Sequence, residues 1–157
     1  MRLTKAMFIG IGTGLITLSA AGKSKVIDAE MSGESYLGLI GNKVDIVLNK
    51  ERCSVKSTGT SGAEGEAPKK FKIVFSCGSR AQVLWDIEKP ALDDFSFDDP
   101  GFKVLWAGDY DGDGKIDLKM ELSPKYSCSR KVTLLSSKAK KSELVGVSGA
   151  SNIVCGA

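Results

Sequence analysis

Apolar and polar residues alternate along much of this chain. The clearest run is Ile116, Leu118, Met120 and Leu122, interleaved with Asp117, Lys119 and Glu121. Successive side chains of a strand point to opposite faces, so this pattern predicts a strand with one buried and one wet face. Val44, Ile46 and Leu48 repeat the period, as do Phe71, Ile73 and Phe75, and Val132 and Leu134 do so more weakly. Val83, Trp85 and Ile87 are expected to share a face of one further strand, and Phe102, Val104 and Trp106 a face of another. A strand over 34–40 is expected to turn at Gly41-Asn42 into the Val44 run. Beyond the first 21 residues no stretch carries a helical period. The chain therefore reads as all-β: a small antiparallel sandwich or partly closed barrel.

Three segments break the alternation. Residues 57–67 are rich in Ser, Thr, Gly, Ala and Glu, which predicts a mobile loop. Asp93-Asp94 and Asp98-Asp99 before Pro100-Gly101 predict an acidic turn. The tail from Ser136, with Lys138, Lys140 and Lys141, is expected to be a solvated loop. Both tryptophans are expected to pack in the core, through the faces they share with Val83 and Ile87 and with Phe102 and Val104. That account is preferred to exposed stacking platforms for sugars.

Residues 1–21 have the pattern of a secretory signal peptide. Arg2 and Lys5 form a basic start, an apolar run spans 6–18, and Ser19-Ala20-Ala21 supplies small residues for cleavage. The run is shorter than the roughly 20 residues of a spanning helix, so no membrane span is expected after cleavage. The expected mature chain is one β-rich domain, 22–157, in the periplasm or outside the cell. The 22 basic residues of the full sequence fall to 20 without Arg2 and Lys5, against 19 acidic ones. Such a balance gives no broad cationic footprint, and nucleic acid is not an expected partner.

Cys53, Cys77, Cys128 and Cys155 all lie in 22–157, separated by 24, 51 and 27 positions. An even count behind an export signal points to two disulfides, and the wide gaps argue against zinc. Sequential pairing is favoured, because each pair flanks what read as neighbouring strands.

One motif carries chemistry. Asp109, Asp111, Asp113 and Asp117 occupy positions 1, 3, 5 and 9 of a loop, with Gly114 at position 6 and Lys115 at position 7. Calcium takes six to eight oxygens, and this spacing wraps four carboxylates and the Lys115 carbonyl around one point. Without a cation, four carboxylates so close would repel one another. The spacing departs from an EF-hand, since Met120 stands where the bidentate glutamate belongs and the flanks read as strands.

Residues 108–118 resemble the calcium loops of FG-GAP repeats, the integrin-type β-propeller motif with the pattern G-D-x-D-G-D-G-x-x-D-L. The resemblance implies a β-hairpin loop with calcium held by Asp109, Asp111, Asp113, Asp117 and the carbonyl of Lys115. It covers about 20 residues, and the chain is too short for a complete propeller. More broadly, 105–145, through the Leu-Leu-Ser-Ser and Glu-Leu-Val-Gly stretches, resembles an uncharacterised family of small exported bacterial proteins with one such loop; no activity comes with that resemblance.

The chain has no histidine. Ser-His-Asp and Cys-His catalysis are therefore absent, and nothing in the spacing sets a base beside the aspartates. The expected function is a calcium-binding, disulfide-stabilised domain with a structural or binding role, not an enzyme. A dedicated inhibitor or immunity protein for a partner in the cell envelope is the alternative. A calcium-dependent hydrolase ranks below both.

Overall fold

A computed structural model describes residues 25–64, 66, 68–89 and 99–156. The expected signal peptide, and Asp93, Asp94 and Asp98 of the expected acidic turn, lie outside the described residues. Eleven strands form among them, all paired antiparallel, with one short 3₁₀ turn. One sheet is the meander β2 (Glu30–Gly33), β3 (Lys43–Leu48), β4 (Glu51–Thr60), β5 (Lys69–Cys77) and β6 (Arg80–Asp86). The other runs β1 (Ile27–Asp28), β7 (Lys103–Asp109), β8 (Asp117–Lys125), β9 (Cys128–Leu135) and β10 (Gly146–Ala150). The last strand, β11 (Val154–Cys155), also pairs with β9. The two sheets pack as a sandwich, so of the two expected architectures the open one forms.

The alternating positions explain why the sheets face each other. Val44, Ile46 and Leu48 of β3, Val55 of β4, and Phe71, Ile73 and Phe75 of β5 are buried from one side. Val104 of β7, Leu118, Met120 and Leu122 of β8, and Val132 and Leu134 of β9 are buried from the other. Each such side chain contributes roughly 1.5–3 kcal/mol on removal from water. Phe102 links the layers, with its ring 5.8 Å from that of Phe71 and 4.9 Å from that of Trp85.

Several expectations are corrected. The strand expected over 34–40 reduces to a single bridge, Tyr36 with Lys103. There the chain crosses between the sheets: the N–H of Leu37 donates to Phe102 and the N–H of Val104 to Ser35. The loop expected over 57–67 begins later, because β4 continues to Thr60 and pairs with β5. Ser57 continues the inward face of Cys53 and Val55, and it is buried because its hydroxyl reaches the Leu39 carbonyl. Composition hid this strand; polar side chains can take an inward position when backbone acceptors meet them.

The third correction is Trp106. A register shift between Val104 and Trp106 inserts Leu105 as an extra residue. A bulge of this kind moves every later side chain on the strand to the other face. Ala107 enters the core in place of Trp106. The indole instead lies half-buried on the outer face, its N–H 2.6 Å from an Asp28 carboxylate oxygen. Lys119 lies over this ring and over Tyr110, 5.4 and 4.4 Å from the centroids. A second shift, between Ile73 and Val74, does the same to β6: Trp85 stays against the core while Val83 is exposed. The fourth correction is the tail, which is not all loop. It forms the 3₁₀ turn Ser136–Lys138 and then β10 and β11.

Asp86 ends β6 in a covered position, 3.0 Å from the Lys72 ammonium. The N–H of Glu88 holds its carboxyl below the ordinary carboxylate range; burial opposes this, and Lys72 adds to it. A carboxyl lowered by folding stabilises above its unfolded value and loses that contribution as pH falls through the folded one. Asp86→Asn should therefore be less stable than wild type at pH 7. The gap should shrink by pH 3 in urea unfolding, and a gap equal at both values would show that ionised Asp86 contributes nothing.

Candidate metal centre

The loop between β7 and β8 begins where β1 pairs with the end of β7, Ile27 opposite Asp109 and Asp28 opposite Gly108. Gly108 permits that approach, since an added Cβ would lie 2.1 Å from the Ile27 carbonyl oxygen. After Asp109 the chain turns through Gly112 and Gly114, at φ 84° and 78°, where an L side chain is strained. The Asp109 carboxylate fills the turn. One oxygen accepts the N–H groups of Gly112 and Asp113, at 2.6 and 3.1 Å, and the other that of Gly114, at 2.9 Å. Asp109 thus organises the loop before any ligand is considered.

Asp117, the first residue of β8, is fully buried. It accepts the Tyr110 N–H at 2.8 Å and the Ser136 N–H at 2.7 Å, tying the loop to the end of β9. Burial pushes its carboxyl above the ordinary range, and the nearby Asp111 charge adds to this, against the two backbone donors. Asp111 is half-buried. One of its oxygens accepts the Ser137 hydroxyl, while the other, Oδ1, is buried with no partner.

Oxygens of Asp109, Asp111 and Asp117 all lie within 4.8 Å of one another. Two oxygens on opposite sides of one calcium ion, each bound at about 2.4 Å, would be about 4.8 Å apart. The spacing, the hard anionic donors and the orphaned Oδ1 fit a divalent cation. They do not suit soft metals, which prefer thiolate or imidazole.

The other two expected ligands sit differently. Asp113 is exposed and outside this trio; its oxygens accept the Lys115 N–H at 2.9 Å and the Ser136 hydroxyl. Lys115 is exposed, and its backbone N–H turns to Asp113. Sequence reasoning gave no ligand-side role to Ser136 or Ser137, whose hydroxyls reach Asp113 and Asp111. The usable signal was the β8–β9 hairpin: pairing Leu118 with Leu134 carries the following serines back to the loop.

The cysteines pair as favoured, Cys53 with Cys77 and Cys128 with Cys155. Each pair sits directly opposite across neighbouring strands. Glu51 also lies near Cys53 and Cys77, but those sulfurs are bonded to each other and offer no thiolate. Comparison with protein-family models, with curated proteins and with solved structures finds no match.

Proposed function

We propose that the domain binds one calcium ion in the 109–117 loop and serves outside the cytoplasm as a structural or binding module. The observation that carries the calcium assignment is the unpartnered, buried Oδ1 of Asp111 within reach of the Asp109 and Asp117 carboxylates. An uncompensated buried carboxylate oxygen is costly, and a bound cation would neutralise the trio and supply the missing partner. Asp109 and Asp117 would hold the ion while keeping their backbone donors, since each carboxylate oxygen has more than one lone pair. The resemblance to FG-GAP loops supports the same ion. Two disulfides and the pattern of residues 1–21 support export. No helix among the described residues is long and apolar enough to cross a membrane. The role is binding rather than catalysis, for the chain lacks histidine and the loop carboxylates already engage backbone and serine donors.

Calorimetric titration into metal-free protein should give one site, with Kd on the order of 10⁻⁵ to 10⁻³ M, since no bidentate glutamate completes the shell. At Kd near 10⁻⁴ M, 2 mM calcium would stabilise by about 1.8 kcal/mol and raise the melting temperature by about 5 °C. Magnesium should do less, as it keeps its waters and demands a tighter octahedron. Asp111→Ala is the informative variant, because Asp111 accepts no backbone N–H in this loop and its loss should leave the turn folded. Asp113→Ala should weaken binding less, given its place outside the trio. Equal wild-type midpoints in chelator and in calcium, with no titration heat, would leave the loop an acidic turn closed by its own N–H groups.

A further inference from the structure

Beside the acidic loop, a cleft of about 510 Å³ opens between the two layers. Its walls carry four cations, Arg80, Lys115, Lys140 and Lys141, against two carboxylates, Glu51 and Glu143. The chain without residues 1–21 is nearly neutral, so the excess is local and does not follow from composition. Among the described residues the ion pairs join Lys43 to Asp45, Lys69 to Glu66 and Lys72 to Asp86, and none involves the four cleft cations. Glu143 is occupied otherwise: its carboxylate accepts the Lys140 N–H at 2.9 Å, and its carbonyl accepts an Arg80 guanidinium N–H at 2.7 Å. That second bond fixes Arg80 on the wall with other donors to spare. A concave site with an excess of one sign of charge concentrates that field and draws counter-ions.

The chemistry of the lining narrows the ligand. Ammonium groups bind oxyanions as point charges, and the guanidinium fork can bind two oxygens at once. A lone inorganic ion would leave most of 510 Å³ empty, whereas that volume suits a small organic molecule. Leu144 and the bonded Cys77 give the cleft an apolar wall for its body. We propose that this cleft binds a small organic phosphate or sulfate monoester, with the oxyanion on Arg80, Lys115, Lys140 and Lys141. The site is separate from the calcium trio, although Ser136 borders both, through its N–H to Asp117, and Lys115 reaches the cleft from the acidic loop.

The test is an amide-shift titration of the full domain in calcium-free buffer with 150 mM sodium chloride. No chelator is added, since polycarboxylates would compete. Phenyl phosphate, phenyl sulfate and inorganic phosphate are the probes. At least one phenyl ester should bind saturably, tighter than inorganic phosphate, with shifts centred on Arg80, Lys115, Lys140 and Glu143. Its preference over the other ester names the oxyanion. The exposed double substitution Lys140→Ala/Lys141→Ala should weaken that ester about tenfold, while Lys56→Ala on β4 should leave it unchanged. Unaltered dispersion of the remaining amides would show the double variant folded. Shifts that never saturate, equal affinity in wild type and the double variant, or inorganic phosphate binding as tightly as the esters would overturn the proposal. Because calcium is absent throughout, failure here leaves the calcium site standing, and failure of calcium to bind leaves this cleft standing.

Discussion

Asp117→Ala should destabilise the domain by about 3 kcal/mol even without calcium. The side chain is fully buried, and its two oxygens accept different backbone donors, Tyr110 from the loop and Ser136 from beyond β9. Alanine leaves both N–H groups without this partner, and a buried orphan donor costs roughly 1–3 kcal/mol. Asp117→Asn keeps one acceptor and removes the buried charge, so in metal-free buffer it should fall between wild type and alanine. Adding calcium should stabilise wild type and widen its lead over both variants. Urea unfolding of the three proteins, with and without 2 mM calcium, gives the comparison. Indistinguishable stabilities for all three in metal-free buffer would mean that Asp117 does not latch the loop to the sheet.

That double duty explains how far the site was legible in the sequence. The spacing of Asp109, Asp111, Asp113 and Asp117 marked the loop in which three of the four carboxylates converge, because ligand geometry and hairpin geometry both act over a few residues. It did not separate the roles inside the loop. Asp109, Asp111 and Asp117 converge, while Asp113 turns to Lys115 and Ser136. Which carboxylates converge depends on the φ of Gly112 and Gly114 and on a donor 19 residues downstream of Asp117. Neither is visible as a local pattern.

The fold divides along similar lines. Ile116 to Leu122 and Val44 to Leu48 were legible because a regular strand carries its alternation unbroken from end to end. Trp106 and Val83 were misplaced because one inserted residue inverts every later assignment on the strand. The continuation of β4 through Ser57 was hidden for another reason. Its inward position is satisfied by a hydroxyl bonded to the Leu39 carbonyl rather than by an apolar side chain. The strand expected over 34–40 makes a single bridge, Tyr36 with Lys103, because the chain there passes from one sheet to the other.

The two disulfides are alike in sequence span, 24 and 27 residues, and their loop-closure entropy alone would stabilise by about 3.5 kcal/mol each. Their removal should nevertheless have unequal effects. Cys53–Cys77 joins β4 and β5 inside the meander, where Cys53 is buried and the ladder runs on to Thr60 and Lys69. Both strands must be ordered in any folded state, so Cys53→Ala/Cys77→Ala loses nearly the whole entropic term; each pair has one buried cysteine, Cys53 or Cys128, so burial does not separate them. Cys128–Cys155 holds β11, an exposed strand with only two paired residues, Val154 and Cys155. Without that bond β11, held by only two paired positions, can fray while the sandwich stays folded. The native state then regains some of the freedom that the unfolded chain regains. Cys128→Ala/Cys155→Ala should therefore cost only about 1–2 kcal/mol, with hydrogen-exchange protection lost at β11 and its partner residues Cys128 and Ser129 but kept in β3 to β5. Cys53→Ala/Cys77→Ala should cost about 3.5 kcal/mol or more and lower protection across the whole meander. Equal costs for the two pairs, with protection lost globally in both, would show that β11 is an integral part of the folding unit and not a strand pinned to its edge.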